Sequence, residues 1–146
     1  MTHTQDTIWI ELVDTRIDVE SLRAKITDPD IGAIGWFEGV TRRTTGASVT
    51  ERLSYEAHRP MAIAELEKLA ARAVAKFALR RCVIVHRLGE VPVSEASVVV
   101  GCSSPHRPAT FEALPWILDV LKKDVPIWKR ELYVDGTTEW VHPTDE

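Results

Sequence analysis

Cationic and imidazole side chains gather at the predicted ends of secondary-structure elements in this chain, and their grouping points to the chemistry of small anions. Lys122 and Lys129 stand seven positions apart, on either side of Pro126. A lysine at the edge of an apolar patch loses hydration of its charged form. Its pKa then falls and it serves as nucleophile or base, or it stays charged and holds an anion. Lys122 follows Leu121 at a helix end and Lys129 lies between Trp128 and Arg130 in a strand, so both could face one pocket across the Pro126 turn. The same residues also fit solvated helix-end charges favoured by the dipole; pattern alone leaves both readings open. Arg42 and Arg43, after a Gly-rich strand, read equally as a phosphate clamp or a solvated loop. The stretch Ser103-Ser104-Pro105-His106-Arg107 joins a buried strand to a helix start, where free backbone N–H groups and a hydroxyl could hold a phosphate, or where serines simply cap the helix. His86, inside an apolar strand, reads as a hydrogen-bonded core residue. The chain contains no H-E-x-x-H, G-x-S-x-G or Walker loop, so zinc-protease, serine-hydrolase and P-loop chemistry have no support.

The elements that must position these groups are legible in the periodicity. Thr7 to Val13 alternates Ile8, Ile10 and Leu12 on one side, as a strand does. Asp18 can cap a short helix carrying Val19, Leu22 and Ile26 before Asp28-Pro29-Asp30 stops it. Ile31 to Val40 is an apolar strand holding Gly32, Gly35 and Gly39, and strand glycines mark a bulge or a close approach. Thr41 to Ser48 reads as an exposed loop. In the next strand Val49, Glu51, Leu53, Tyr55 and Ala57 share one face, and Thr50, Arg52, Ser54 and Glu56 the other. Pro60 suits the first turn of a helix striped by Ile63, Leu66, Leu69, Ala70, Ala73, Val74 and Phe77. Arg81 to Arg87 and Ala96 to Cys102 read as central strands joined through a Gly89 and Pro92 connection. A third helix follows from Pro108, and Pro115 predicts either a kink or a helix that starts near Pro115. Ile127 to Val134, the Asp135-Gly136 turn and Thr138 to Val141 make a C-terminal hairpin. The strands and helices do not alternate as in a doubly wound sheet, so the class is α+β.

With 146 residues, 45% hydrophobic and 27% charged, the chain fits a single domain over 1–146 that buries a core without metal or disulfide staples. A net charge of -4 argues against affinity drawn from a nucleic-acid backbone. The start of the chain lacks the basic and apolar runs of a signal peptide, and no segment is long and apolar enough for a bilayer. Cys82 and Cys102 lie in apolar stretches without metal-site spacing and read as reduced core residues of a cytosolic protein.

Read together, Phe37-Glu38-Gly39-Val40-Thr41-Arg42, Leu53-Ser54-Tyr55-Glu56-Ala57-His58, Val85-His86-Arg87-Leu88-Gly89-Glu90, Ser104-Pro105-His106-Arg107 with Phe111-Glu112-Ala113, and Leu121-Lys122 through Pro126-Ile127-Trp128-Lys129-Arg130-Glu131 resemble the large, catalytic subunit family of molybdopterin synthase. The likeness runs from about Gly32 to Trp140. It implies an α/β hammerhead-type mixed sheet with three helices, and a homodimer within a heterotetramer. Each large subunit would receive the tail of a small ubiquitin-like sulfur carrier ending in a Gly-Gly thiocarboxylate. The implied reaction is sulfur transfer in molybdenum cofactor biosynthesis: two sulfurs are added to cyclic pyranopterin monophosphate to make the molybdopterin dithiolene, with no metal or other cofactor at this step. The family's catalytic lysines fall on Lys122 and Lys129, its His-Arg pair on His106 and Arg107, and its loop arginine on Arg42. The resemblance assigns Arg42, His106 and Arg107 to substrate binding.

Three departures accompany the likeness. The loop from Arg42 to Gly46 is one residue shorter than the family's and lacks its polar Asn/His pair, so Arg43 could do the work of Arg42. His58 stands where tyrosine is frequent, and Pro115 interrupts a helix that usually runs through. Two other readings use the same cations: a scaffold that binds the carrier without turnover, and a lysine Schiff-base lyase acting on a phosphorylated sugar or aldehyde.

Overall fold

The computed structural model describes the backbone of residues 2–4 and all of residues 7–141; the remainder of the 1–146 domain expected from the sequence lies outside the described residues. The strands are β1 (Thr2–Thr4), β2 (Ile8–Val13), β3 (Ala33–Val40), β4 (Thr44–Thr45), β5 (Ser48–Ala57), β6 (Arg81–Arg87), β7 (Gly89–Pro92), β8 (Ala96–Ser104), β9 (Ile127–Tyr133) and β10 (Thr138–Val141), and the helices are α1 (Val19–Ile26), α2 (Arg59–Phe77) and α3 (Arg107–Asp124). One sheet runs β1-β2-β6-β8-β3 and a second β10-β9-β5-β4, with β7 also pairing β5. Among the described strands β2 and β6 pair in parallel and the other ladders are antiparallel, with one isolated parallel bridge between Thr41 and Val93. The fold is a mixed α+β arrangement with three helices and a C-terminal hairpin, as expected.

The first sheet is buried on both faces, which explains the near-continuous apolar runs of β6 and β8. Ile10, Ile84, Val100 and Cys102 face α2 and α3, where Leu66, Leu69, Ala113 and Ile117 meet them. Val83, Val85 and Val99 point the other way, onto Leu22 and Ile26 of α1. Asp18 caps α1 by accepting from the Ser21 N–H. His58 caps α2, its Nδ1 accepting the Met61 N–H at 3.3 Å, so the histidine here has a local structural use.

Four sequence expectations change. β1 and β7 form where the sequence suggested a polar start and a mere connection; both are short strands that a partner strand stabilises rather than their own pattern. The 41–48 loop contains a small hairpin, with Thr44 and Thr45 opposite Val49 and Ser48 and Gly46 at φ +59. The single alternation expected along β5 breaks at a bulge between Thr50 and Arg52. The extra residue reverses the phase, so Thr50 is buried while Val49 and Glu51 are exposed. Finally, α3 starts at Arg107 and continues through Pro115. Proline leaves the carbonyl four residues back without its helical donor, and here Phe111 and Pro115 lie on the exposed side, within reach of water.

Gly35 is where α3 comes down on β3: a Cβ there would collide with Thr110 Cγ2 and Leu114 Cδ1, the close approach the strand glycines foretold. Gly35→Ala is therefore expected to destabilise the chain by about 1–3 kcal/mol, read as a lower Tm; an unchanged melting curve would contradict this packing.

Candidate active site

A cavity of about 460 Å³ opens between the ends of the two sheets and the C-terminal half of α3. Its size suits a small organic molecule. Phe37 and Gly39 of β3, Tyr55 of β5, His86 of β6, Ser97 of β8, Lys122 of α3 and Lys129 of β9 all contribute to its wall. Val125 closes α3 by donating its N–H to the Leu121 carbonyl, and the chain turns through Pro126 directly into β9. That turn brings Lys122, in the last turn of the helix, and Lys129, three residues into the strand, onto one cavity.

The electrostatics of the two lysines differ. Lys122 is exposed, whereas Lys129 is half-buried. Lys129 is pushed down to about 8, first by loss of water, then by the charges of Lys122 and Arg42, against the opposing pull of Glu131. Its amine therefore exchanges a proton near neutrality, as an acid–base group must.

Glu131 was not singled out by sequence reasoning. It is 9% exposed, its carboxylate accepts from the Thr50 hydroxyl at 3.3 Å, and it sits two residues beyond Lys129. The signal was available: in a strand, i and i+2 share a face, so a carboxylate there must accompany the lysine. The β5 bulge, which turns Thr50 inward, was not readable.

Part of the cavity wall is polar and hydrogen-bonded within itself. The Tyr55 hydroxyl donates to Ser97 Oγ at 3.1 Å, and Ser97 donates to the Gly39 carbonyl at 3.2 Å. The Tyr55 ring stands edge-on to His86 at 5.0 Å between centroids. Burial and the charge of Lys129 hold the His86 imidazole down to about 4, against the hydrogen bond to the Arg87 carbonyl.

The other predicted groups are placed differently. Thr41 is pinned by its hydroxyl to the Val91 carbonyl at 3.1 Å, which holds Arg42 at the base of the β4–β5 hairpin. The Arg42 guanidinium reaches Thr45 Oγ1 at 3.4 Å and is close enough to Lys129 to depress its pKa, though it does not line the cavity. Arg43 is exposed, and its backbone carbonyl accepts from the Thr50 N–H. His106, the N-cap residue of α3, and Arg107, its first residue, are exposed. At 1.5 Å per residue they stand about 22 Å along the helix from Lys122, so one chain does not bring them to the lysines. The serine hydroxyls beside them turn inward: Ser103 and Ser104 are fully buried, and Ser104 donates to the His106 carbonyl at 2.6 Å. The phosphate-holding hydroxyl considered for this turn is therefore not on offer; the turn presents imidazole, guanidinium and backbone. Among the described residues no group of three or more His, Cys, Asp or Glu could hold a metal ion, and no helix is long and apolar enough to cross a membrane.

Comparison with known proteins shows the family of the chain. The family model described as MoaE protein matches residues 12–124. A molybdopterin synthase catalytic subunit from Aspergillus oryzae is 41% identical over 140 residues, which is 96% of this chain and 78% of that protein. The crystal structure of molybdopterin synthase from Staphylococcus aureus superposes with a TM-score of 0.85 at 33% identity, over 95% of this chain and 98% of that one. A complex of subunits 1 and 2 of molybdopterin-converting factor from Helicobacter pylori, with a TM-score of 0.70 over 91% of this chain and 88% of that one, is 19% identical and shares the fold. By the family match and the identity to its members over most of its length, the chain belongs to the MoaE protein family of molybdopterin synthase catalytic subunits.

Proposed function

We propose that this chain, acting as one domain, is a cytoplasmic sulfurtransferase that builds the molybdopterin dithiolene. Sulfur comes from the C-terminal thiocarboxylate of a small ubiquitin-like carrier subunit, two sulfurs go to cyclic pyranopterin monophosphate, and one thiocarboxylate is used for each. The observation that carries this reading is the meeting of Lys122 and Lys129 on one cavity, with Lys129 held near a neutral-pH proton exchange.

Both reactants are anions, and cations lining a site from which water is partly excluded stabilise charge that develops there. Lys122, exposed at the mouth, contacts the carrier's terminal carbonyl and the reacting carbon. A Gly-Gly tail reaches it because it has no side chains to clash. Lys129, deeper and of lowered basicity, positions the intermediate and donates a proton to it. Arg42, beside Lys129, takes the substrate's phosphate or pterin, with Arg43 as the neighbour able to replace it.

His106 and Arg107 enter this scheme from a second copy. They lie about 22 Å along α3 from Lys122, so in a two-fold dimer the helix start of one protomer supplies these groups to the lysines of its partner. Such a contact is reciprocal in an isologous interface, which makes the homodimer part of the site. The full assembly is then a heterotetramer with two carrier subunits.

With preformed carrier thiocarboxylate and pterin substrate, Lys122→Ala and Lys129→Ala are each expected to lose ~100-fold or more in sulfur transfer; full activity in both would remove the lysines from the mechanism. Borohydride trapping of the substrate on Lys122 would instead favour Schiff-base chemistry. Lys129 should titrate near pH 8 by lysine NMR, its ammonium dominating below and its amine above. Because Arg42 lowers that value, Arg42→Gln should move the titration upward; a midpoint at the ordinary lysine value in the unmodified chain would contradict the site's electrostatics. Mixing inactive Lys129→Ala and Arg107→Ala chains should restore about a quarter of the wild-type rate, as statistical exchange in a two-fold dimer requires; no recovery despite exchange would place both groups in one protomer.

A further inference from the structure

Strand β3 ends the first sheet. β8 pairs one of its edges, and among the described residues no strand pairs the other. Such an edge offers a row of backbone donors and acceptors to a second strand, and proteins ordinarily blunt it with lysine, proline or a bulge. β3 carries neither lysine nor proline and holds one charge, Glu38. Its register shift against β8 puts the extra residue, Ser97, on β8 and leaves β3 regular. Ile34, Phe37 and Val40 are 48%, 36% and 52% exposed.

Helix α3 continues this apolar face. Trp116 stands edge-on to Phe77 of α2, while Thr110 and Leu114 sit over Gly35. At about 100° per residue, the flank turned away from α2 and overhanging β3 carries Phe111, Leu114 and Leu118, with Arg107 at its start and Lys122 at its end. Phe111 is 70% exposed. Ala33 pairs with Ser104, close to His106 and Arg107, whereas Gly39 and Val40 line the cavity with Lys122. Strand and helix therefore both lead from the His-Arg pair to the lysines, over about 24 Å of strand.

We infer that the free edge of β3 pairs antiparallel with β3 of a second copy about a two-fold axis at Phe37, joining the two five-stranded sheets into one. This rests on, and specifies, the dimer in which His106 and Arg107 serve the lysines of the partner. An axis normal to the sheet keeps every residue on its own face, so opposed residues differ by an even number of positions. Centred on Phe37, the pairing sets Phe37 against the partner's Phe37, Gly35 against the partner's Gly39 and Ile34 against the partner's Val40. The three exposed apolar side chains of β3 thus meet one another. Glu38 falls opposite the partner's Trp36; an axis at Glu38 would oppose two carboxylates, and one at Trp36 would set Ile34 against Glu38. Ala33 comes beside the partner's Thr41, which carries His106 and Arg107 toward the partner's Arg42 and cavity. Edge and overhanging flank present an outline of roughly 500 Å² on each copy, which interlocking side chains bring near the roughly 600 Å² per partner at the small end of specific interfaces.

The test uses the full chain. Sedimentation is expected to give twice the 16.4 kDa chain mass, and Ile34→Lys, at an exposed edge position, to raise the dimer dissociation constant roughly 100-fold or more while circular dichroism still reports a folded chain. Phe37→Cys, on the axis, is expected to be joined to its copy by a short thiol cross-linker, and Ile34→Cys to be joined only when mixed with Val40→Cys; Cys82 and Cys102 are buried and do not compete. A monomeric chain, a dimer undiminished by Ile34→Lys, or a dimer whose Phe37→Cys copies stay unlinked overturns the proposal. Should Ile34→Lys fail to fold, the cross-links decide. Recovered activity on mixing Lys129→Ala with Arg107→Ala, beside unlinked Phe37→Cys, keeps the shared site and rejects this interface; linked Phe37→Cys without that recovery keeps the interface and rejects the shared site.

Discussion

The arrangement depends on holding one ammonium half out of water beside other cations. Lys129 loses hydration in the cavity wall and feels Lys122 and Arg42, while the buried carboxylate of Glu131 draws the other way. Were Glu131 absent, the lysine would be driven further toward its neutral form; were Lys122 and Arg42 absent, burial would still hold its pKa down, though less far. The balance sets a group that can carry a proton at neutral pH, and the nearby secondary structure maintains its terms. The β5 bulge turns Thr50 inward to hold Glu131, Thr41 anchors the loop that carries Arg42, and the C-cap of α3 presents Lys122.

Helix α3 has a second consequence. Its C-terminal end delivers Lys122 to the cavity, while its N-terminal end carries His106 and Arg107 far from it. A rigid rod of this length separates the two sets of cations within a chain as firmly as it joins each to the fold. The dimer proposed above would solve a geometric problem that no side-chain rotation within one chain could.

Much of this was legible in the residues. The Asp18 cap, the α2 stripe behind Pro60, the doubly buried β6 and β8 and the Asp135-Gly136 hairpin follow from local propensity and periodicity, which act within a few residues. The lysine pair was visible as a spacing around Pro126. The short strands β1, β4 and β7 escaped because each is stabilised by its partner rather than its own pattern. The reversal at Thr50 escaped because a bulge is set by pairing with β9. The cap that His58 gives α2 was also not read from the sequence.

By itself the sequence determined which residues are apolar and at what period, hence which elements form and which faces they bury; it also carried the family resemblance and, through it, the chemistry. Only the tertiary structure decided which cations meet. The pKa of Lys129 depends on charges from β3's following loop, α3 and β9, and the distance from Lys122 to Arg107 depends on α3 running unbroken through Pro115. Hydrophobic periodicity is a property of neighbours in the chain, whereas desolvation and Coulomb interaction depend on distances in space, and those exist only once the sheets have closed around the cavity.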